Sequence, residues 1–306
     1  MKPLVAPVLA GLLLAACGNG TSTTAPEPPT ASAPASATNA DQQTVAYCSN
    51  GGQRELMDVA TPRPRPASPM PAVIYIHGGG WEHGDRSGGG FLEQLRPQLL
   101  AKGFVVASID YRLAPANRWP AQIVDSKCAV RYLRAHASAY GVDPTRIGAW
   151  GGSAGGHLVS MLGTTDANAG FDVGEWLDQS SRVQAVVDLF GPADLTAGGW
   201  EKDPTQIVKD VFGVPAGTTS DVLEKASPVT YVSRDDPPFL ILHGDADHSV
   251  PASQSQELAA KLTAAGVPAQ LVMVHNGPHG LADPKESPAP QALVAMIVDF
   301  FTKTLG

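Results

Sequence analysis

Apolar and polar positions along this 306-residue chain fall into short β-rich runs separated by longer helix-compatible segments. The pattern predicts strands at residues 44–47, 55–60, 72–77, 105–109, 146–150, 183–189, 239–243 and 270–274. Helices are expected at 91–102, 121–137, 157–163, 252–265 and 291–304. Strands alternating with helices build βαβ units, and hence an α/β fold with a mostly parallel central sheet covered by helices on both faces. The first two strand candidates have no helix between them and read as an antiparallel edge pair at the N-terminal side. Residues 62–71 are a proline-rich connector inside a single domain, and no internal repeat is present. The stretches 163–182 and 194–237 are long for connections; segments of this kind form lids or pocket walls, or run over the surface.

The N-terminal part departs from this alternation. Lys2 precedes an apolar stretch at 4–16 that is too short to span a bilayer as a mature helix and reads as an export signal. It ends in Leu14-Ala15-Ala16-Cys17, which resembles the bacterial lipoprotein cleavage box, with Cys17 as the lipidated new N-terminus. An ordinary secretory peptide cut nearby is the alternative. Residues 17–41, rich in Pro, Ser, Thr and Ala, are expected to be a flexible tether, which leaves 42–306 as the folded domain. The expected location is therefore the outside of the cytoplasmic membrane or the cell envelope, held by the lipid anchor. In that setting Cys48 and Cys128 are placed to form a disulfide, two buried thiols being the alternative. A net charge of −8 without any basic run excludes nucleic acid as a natural partner.

The chemistry concentrates where strands end. Gly151-Gly152-Ser153-Ala154-Gly155 lies between a strand and a helix, the context of a G-x-S-x-G nucleophile elbow. In a chain with 32 glycines the motif alone is weak, so the segments around it matter. His77-Gly78-Gly79-Gly80-Trp81 follows a buried strand, and its glycines let backbone N–H groups turn toward a substrate. Gly79, Gly80 and the N–H of Ala154 would form an oxyanion hole, with His77 a structural residue of that loop. After the strand at 239–243, Asp245 and Asp247 compete for the place of the acid; Asp247 is preferred, Asp245 being a turn residue. His279, between Pro278 and Gly280, is the candidate base, whereas His275 is expected to be packed at a strand end and His157 to support the site from the elbow helix. The order Ser153, Asp247, His279 is that of α/β-hydrolases. Such a site needs no cofactor, and no metal-ligand spacing is present.

These segments, with Ser108–Pro115 and Trp119-Pro120-Ala121-Gln122, resemble the HGGG-bearing esterases and lipases of the α/β-hydrolase fold over about residues 45–306. The His-Gly-Gly-Gly-Trp form with Gly84-Asp85 is especially similar to bacterial acetylxylan and feruloyl esterase-like enzymes. Kynurenine formamidases and hormone-sensitive-lipase-like esterases are related groups. The resemblance implies Ser153, Asp247 and His279 as a triad, with Asp110-Tyr111-Arg112 and Asp125 bracing it. A long helical cap before the first strand, as in the hormone-sensitive-lipase arrangement, is not expected. The expected function is a serine carboxylesterase acting on small acyl esters, with a small molecule or a polysaccharide as substrate. An amidase or peptidase of the same fold, such as an arylformamidase-like enzyme, and a non-catalytic binding lipoprotein are the alternatives.

Overall fold

Two long N-terminal strands, β1 (Ala40–Asn50) and β2 (Gln53–Pro62), form an antiparallel hairpin whose register shifts at a bulge between Ala46 and Cys48. The computed structural model describes residues 40–306 apart from Gly51. The signal segment, Cys17 and most of the tether therefore lie outside the described residues. Six strands follow: β3 (Met70–Ile76), β4 (Val105–Ile109), β5 (Val142–Gly152), β6 (Ala185–Leu189), β7 (Phe239–Gly244) and β8 (Ala269–Val274). They join the hairpin in one sheet of order β1-β2-β4-β3-β5-β6-β7-β8. β2 meets β4 antiparallel, and every pair from β4 to β8 is parallel. This is the expected α/β-hydrolase fold with an antiparallel N-terminal edge.

Among the described residues, eight α-helices accompany the sheet: α1 (Phe91–Ala101), α2 (Ala121–Ala135), α3 (Ala137–Tyr140), α4 (Ala154–Thr164), α5 (Lys202–Phe212), α6 (Asp221–Lys225), α7 (Ser253–Ala264) and α8 (Pro290–Leu305). The period-2 geometry of β3 sends Ala72, Ile74 and Ile76 into one core, under α2, α4 and α7. Val73 and Tyr75 enter the other, under α1 and α8. Both faces of the strand are apolar for that reason, and burying each such side chain is worth about 1.5–3 kcal/mol. The expected helix at 121–137 stops at Ala135, because His136 leaves helical geometry before α3 resumes. The elbow helix begins three residues earlier than expected, directly after Ser153.

The two long connections differ in use. Residues 163–182 are pinned to α2 by buried charge: Lys127 Nζ reaches Asp172 at 3.1 Å and Ser181 Oγ at 3.0 Å, and Arg131 reaches Asp172 at 2.6 Å. Residues 194–237 instead carry α5 and α6 across the end of the sheet where the parallel strands finish. His157 fastens this insertion to the body. Its ring is fully buried; Nε2–H donates to the Ala226 carbonyl at 2.7 Å, and Nδ1 accepts from Trp81 Nε1–H at 3.2 Å. One neutral tautomer satisfies both bonds, and burial pushes the imidazole pKa down to about 4. Cys48 of β1 and Cys128 of α2 are joined in a disulfide across 80 residues.

Two outcomes follow from these ties. Because folded His157 resists protonation, the unfolded chain binds the extra proton between about pH 6.5 and 4, so its contribution to stability falls as pH drops through that window. Asp188, raised to about 6 by burial, and Glu55, raised to about 7 by burial, act in the opposite sense, so the comparison must be between variants. Urea unfolding of wild type and His157→Gln at pH 7 and pH 5 is expected to show the wild-type advantage shrinking by about 2 kcal/mol at pH 5. Replacing Cys48 and Cys128 together by alanine is expected to cost about 4 kcal/mol in the same assay, leaving the fold intact.

Candidate active site

The elbow is built by a steric fit. Ser153 stands between β5 and α4 with φ 57° and ψ −121°, a conformation costing about 1–3 kcal/mol for a residue with a side chain. Its N–H donates to Leu189 O at 2.9 Å and its carbonyl accepts from His157 N–H at 3.0 Å, which hold the turn from both sides. A Cβ on Gly151 would lie 2.6 Å from Ile76 O, and one on Gly155 would overlap the same carbonyl. Only glycine lets the turn seat on the end of β3.

Three distant segments then meet. His279 Nε2 lies 3.0 Å from Ser153 Oγ, and His279 Nδ1 lies 2.7 Å from Asp247 Oδ2. Asp247 Oδ1 accepts the N–H groups of Ser249 and Val250 at 2.8 and 2.9 Å. A residue that sequence reasoning passed over, His243, adds a further donor. Its buried Nε2 lies 3.0 Å from Val250 O and 3.3 Å from Asp247 Oδ2, both acceptors, so that nitrogen carries the proton. Ser255 Oγ, 2.7 Å away, then donates to Nδ1. Burial alone would raise the Asp247 carboxyl, but the hydrogen bonds from His243, His279 and Val250 outweigh it and hold the group well below the usual carboxylate range. Asp245 is the turn residue it was expected to be, exposed and accepting from Asn276 N–H at 2.7 Å. His275 is not packed as expected. It is exposed and pairs with Asp245 at 2.9 Å, because β8 ends at Val274 and the chain there turns outward to bridge Ser287.

Across Ser153 from this chain of bonds lies the glycine loop. Gly79 and Gly80 have φ of 99° and 62°. Among the described residues, the N–H groups of Gly79, Gly80 and Ala154 donate to no protein acceptor. The Gly79 carbonyl is taken by Glu82 and His83 N–H at 3.1 and 3.0 Å, which fixes the turn. His77 braces the same loop: its Nδ1–H donates to Gly78 O at 2.7 Å, and its ring stacks on Tyr111 at 4.2 Å. Tyr111 Oη donates to His77 O at 3.0 Å. On either side, Arg86 joins Asp110 at 2.7 Å and Arg112 grips Asp125 through several nitrogen–oxygen contacts near 2.9 Å. The bracing expected of Asp110-Tyr111-Arg112 and Asp125 is thus present.

A cavity of about 400 Å³ opens from Ser153 and His279 and is walled by Trp81, Trp200, Pro204, Ile207 and Val208. Three of these walls come from residues on α5, a helix absent from the sequence-derived pattern. The signal was there: Ile207, Val208, Val211 and Phe212 share one helical face, but the surrounding Gly and Pro residues mask it.

Residues 57–262 match the BD-FAE family. Esterase LipC of Mycobacterium tuberculosis is 37% identical over 220 residues, which cover 69% of this chain and 52% of LipC. The probable carboxylic ester hydrolase LipM of the same organism is 36% identical over 195 residues, covering 63% of this chain and 44% of LipM. The chain spans about half the length of the curated relatives it matches. Among solved structures, a truncated carbohydrate esterase from gut microbiota superposes with a TM-score of 0.74 at 31% identity, covering 89% of this chain and 98% of that one. The Thermogutta terrifontis esterase Est2 bound to propionate gives a TM-score of 0.70 at 25% identity, over 87% of this chain and 94% of its own. With its sheet order, its elbow and these likenesses together, the chain belongs to the BD-FAE family of α/β-hydrolase-fold proteins.

Proposed function

We propose that this chain is a serine carboxylesterase that cleaves small acyl esters by double displacement. The observation that carries the reading is the continuous path from Asp247 Oδ2 through His279 to Ser153 Oγ, beside three N–H groups without protein acceptors. Ser153 Oγ attacks the ester carbonyl carbon while its proton passes to His279 Nε2. The oxyanion is held by the N–H groups of Gly79, Gly80 and Ala154. Collapse breaks the bond to the alcohol oxygen, which takes the proton from His279, and the acyl group stays on Ser153. Water then repeats the sequence: His279 takes its proton, the acid departs, and the proton returns to Ser153 Oγ. Asp247 keeps the imidazole in the required tautomer and stabilises the imidazolium; its depressed carboxyl stays ionised well into acid.

Acetyl or feruloyl esters of polysaccharide are the proposed natural substrates, a reading supported by the likeness to the gut-microbiota carbohydrate esterase. Export and lipid anchoring through Cys17 are proposed with it. The apolar 4–16 segment before Cys17 supports this, as does the Cys48–Cys128 disulfide, a bond favoured in oxidising compartments.

Hydrolysis of p-nitrophenyl acetate and of acetylated xylan by residues 41–306 tests the reading directly. Ser153→Ala is expected to lose all activity above background on both, and Asp247→Asn to lose about 10⁴-fold in kcat with the fold retained. Full activity in Ser153→Ala would sink the proposal, and acetate release from the simple ester alone would remove polysaccharide. His243→Phe removes one donor to Asp247 and is expected to lower kcat by about tenfold while leaving KM near wild type.

A further inference from the structure

Phe190, just past the end of β6, has a φ of 45°, in the left-handed region that a residue with a side chain occupies at an energetic cost. No atom of Phe190 reacts in the proposed hydrolysis, yet two ties hold it in this form. Its own N–H donates to Leu242 O at 2.7 Å, and the N–H of the next residue, Gly191, donates to Asp188 Oδ1 at 2.9 Å. Asp188 is fully buried, and its second oxygen accepts Ser160 Oγ–H of α4 at 3.0 Å. A Cβ on Gly156 or on Gly191 would overlap Asp188 Oδ1, so glycine at both positions admits the carboxyl between the end of β6 and α4. A carboxyl placed there forfeits hydration, and burial raises it to about 6.

The turn brings the Phe190 ring against both members of the reacting pair. On one side it rests on Gly152, the residue before Ser153, where a Cβ would meet ring atoms at 3.1 and 3.2 Å. On the other its centroid lies 4.8 Å from that of the His279 imidazole, with the two planes 64° apart. The neighbouring Leu189 carbonyl accepts the Ser153 N–H at 2.9 Å, so the same turn also holds the nucleophile. Resting on the esterase reading, we propose that Phe190 is a positioning residue. Held in its strained turn by Asp188, it keeps the His279 imidazole in place while Ser153 carries the acyl group.

The need for such a support arises halfway through the reaction. In the free enzyme two bonds hold the imidazole, Nδ1 to Asp247 and Nε2 to Ser153 Oγ. Acylation removes the second, because the ester oxygen of acyl-Ser153 has no proton to donate. His279 lies in the irregular segment between β8 and α8, and its ring is partly exposed. With one hydrogen bond left, the ring can pivot about Nδ1, and a displacement of about 1 Å at Nε2 deprives the attacking water of its base. The contact with Phe190 is untouched by acylation. Asp247 therefore fixes the tautomer through both halves of the reaction, and Phe190 limits the swing in the second.

Rapid-mixing hydrolysis of p-nitrophenyl acetate separates the two halves, with rates counted per Ser153 titrated by a fluorophosphonate so that misfolded enzyme drops out. Phe190→Ala is expected to keep kcat/KM, which reports acylation, within about threefold of wild type. Its deacylation slows by more than about tenfold, so that KM falls with kcat and a full burst of p-nitrophenol precedes the slow steady state. Asp188→Ala is expected to show the same pattern and to add little to Phe190→Ala in the double variant, because it acts through that ring. Asp188→Asn keeps an acceptor for Gly191 and offers Ser160 a donor, and stays within about threefold of wild type. Equal losses in acylation and deacylation, or an unchanged deacylation rate, would overturn the proposal. Additive losses in the double variant, or an Asp188→Asn enzyme as slow as Asp188→Ala, would overturn the part given to Asp188. If Phe190→Ala does not fold, Phe190→Leu keeps apolar bulk in the turn and gives the same direction at smaller amplitude. A wild type that hydrolyses no ester and takes up no fluorophosphonate at Ser153 is a different result: it sinks the esterase reading itself.

Discussion

The contact of the elbow with the end of β3 is the constraint on which the site depends. Ser153 can hold its left-handed backbone only because Gly151 and Gly155 bring two peptide planes against the Ile76 carbonyl. That contact starts α4 at Ala154, whose N–H, like those of Gly79 and Gly80 in the loop leaving β3, donates to no acceptor among the described residues. The proposed nucleophile and oxyanion donors are thus positioned by adjacent strands, β3 and β5, paired from Ala72–Ile147 to Ile76–Gly151. The proposed acid and base, Asp247 and His279, come from the loops after β7 and β8. Rigid strands set the spacing, and short loops carry the chemistry.

Much of this is readable along the chain, because the residues concerned have few roles open to them. Glycines on both sides of a serine after a β-rich run, and a histidine between Pro278 and Gly280, are hard to use for packing alone. Strand existence is likewise plain where Val and Ile cluster. Asp247 rather than Asp245 meets His279, as its place farther out on the loop after the strand leads one to expect. Two things are not legible. His243 looks like the last residue of a strand, and its bond to Asp247 arises only when the following loop folds back over it. The helix α5 is short, flanked by loops, and stabilised by burying Val208, Val211 and Phe212 against the body rather than by propensity. His275 shows the converse error: a histidine next to an apolar strand reads as packed, yet the strand has already ended.

Buried polar groups are used here as fasteners between parts that the sheet does not hold. Lys127 and Arg131 share Asp172 and so pin residues 163–182 to α2. His157 ties the oxyanion loop through Trp81 to the insertion through Ala226. Such bonds contribute little net stability, but a broken one leaves an unpaired group in an apolar setting, which makes alternative packings costly. The insertion that walls the cavity beside Ser153 is thereby locked to the loop that would hold the oxyanion.

The cross-link between β1 and α2 has a different consequence for the exposed glycine strap at residues 88–90. That strap lies inside the span closed by Cys48 and Cys128. A protease that cuts there produces two polypeptides still held together by the sulfur bridge and by strands on both sides of the cut, β3 and β4, which pair with one another. A nick at this place would yield a two-chain molecule rather than a lost fragment.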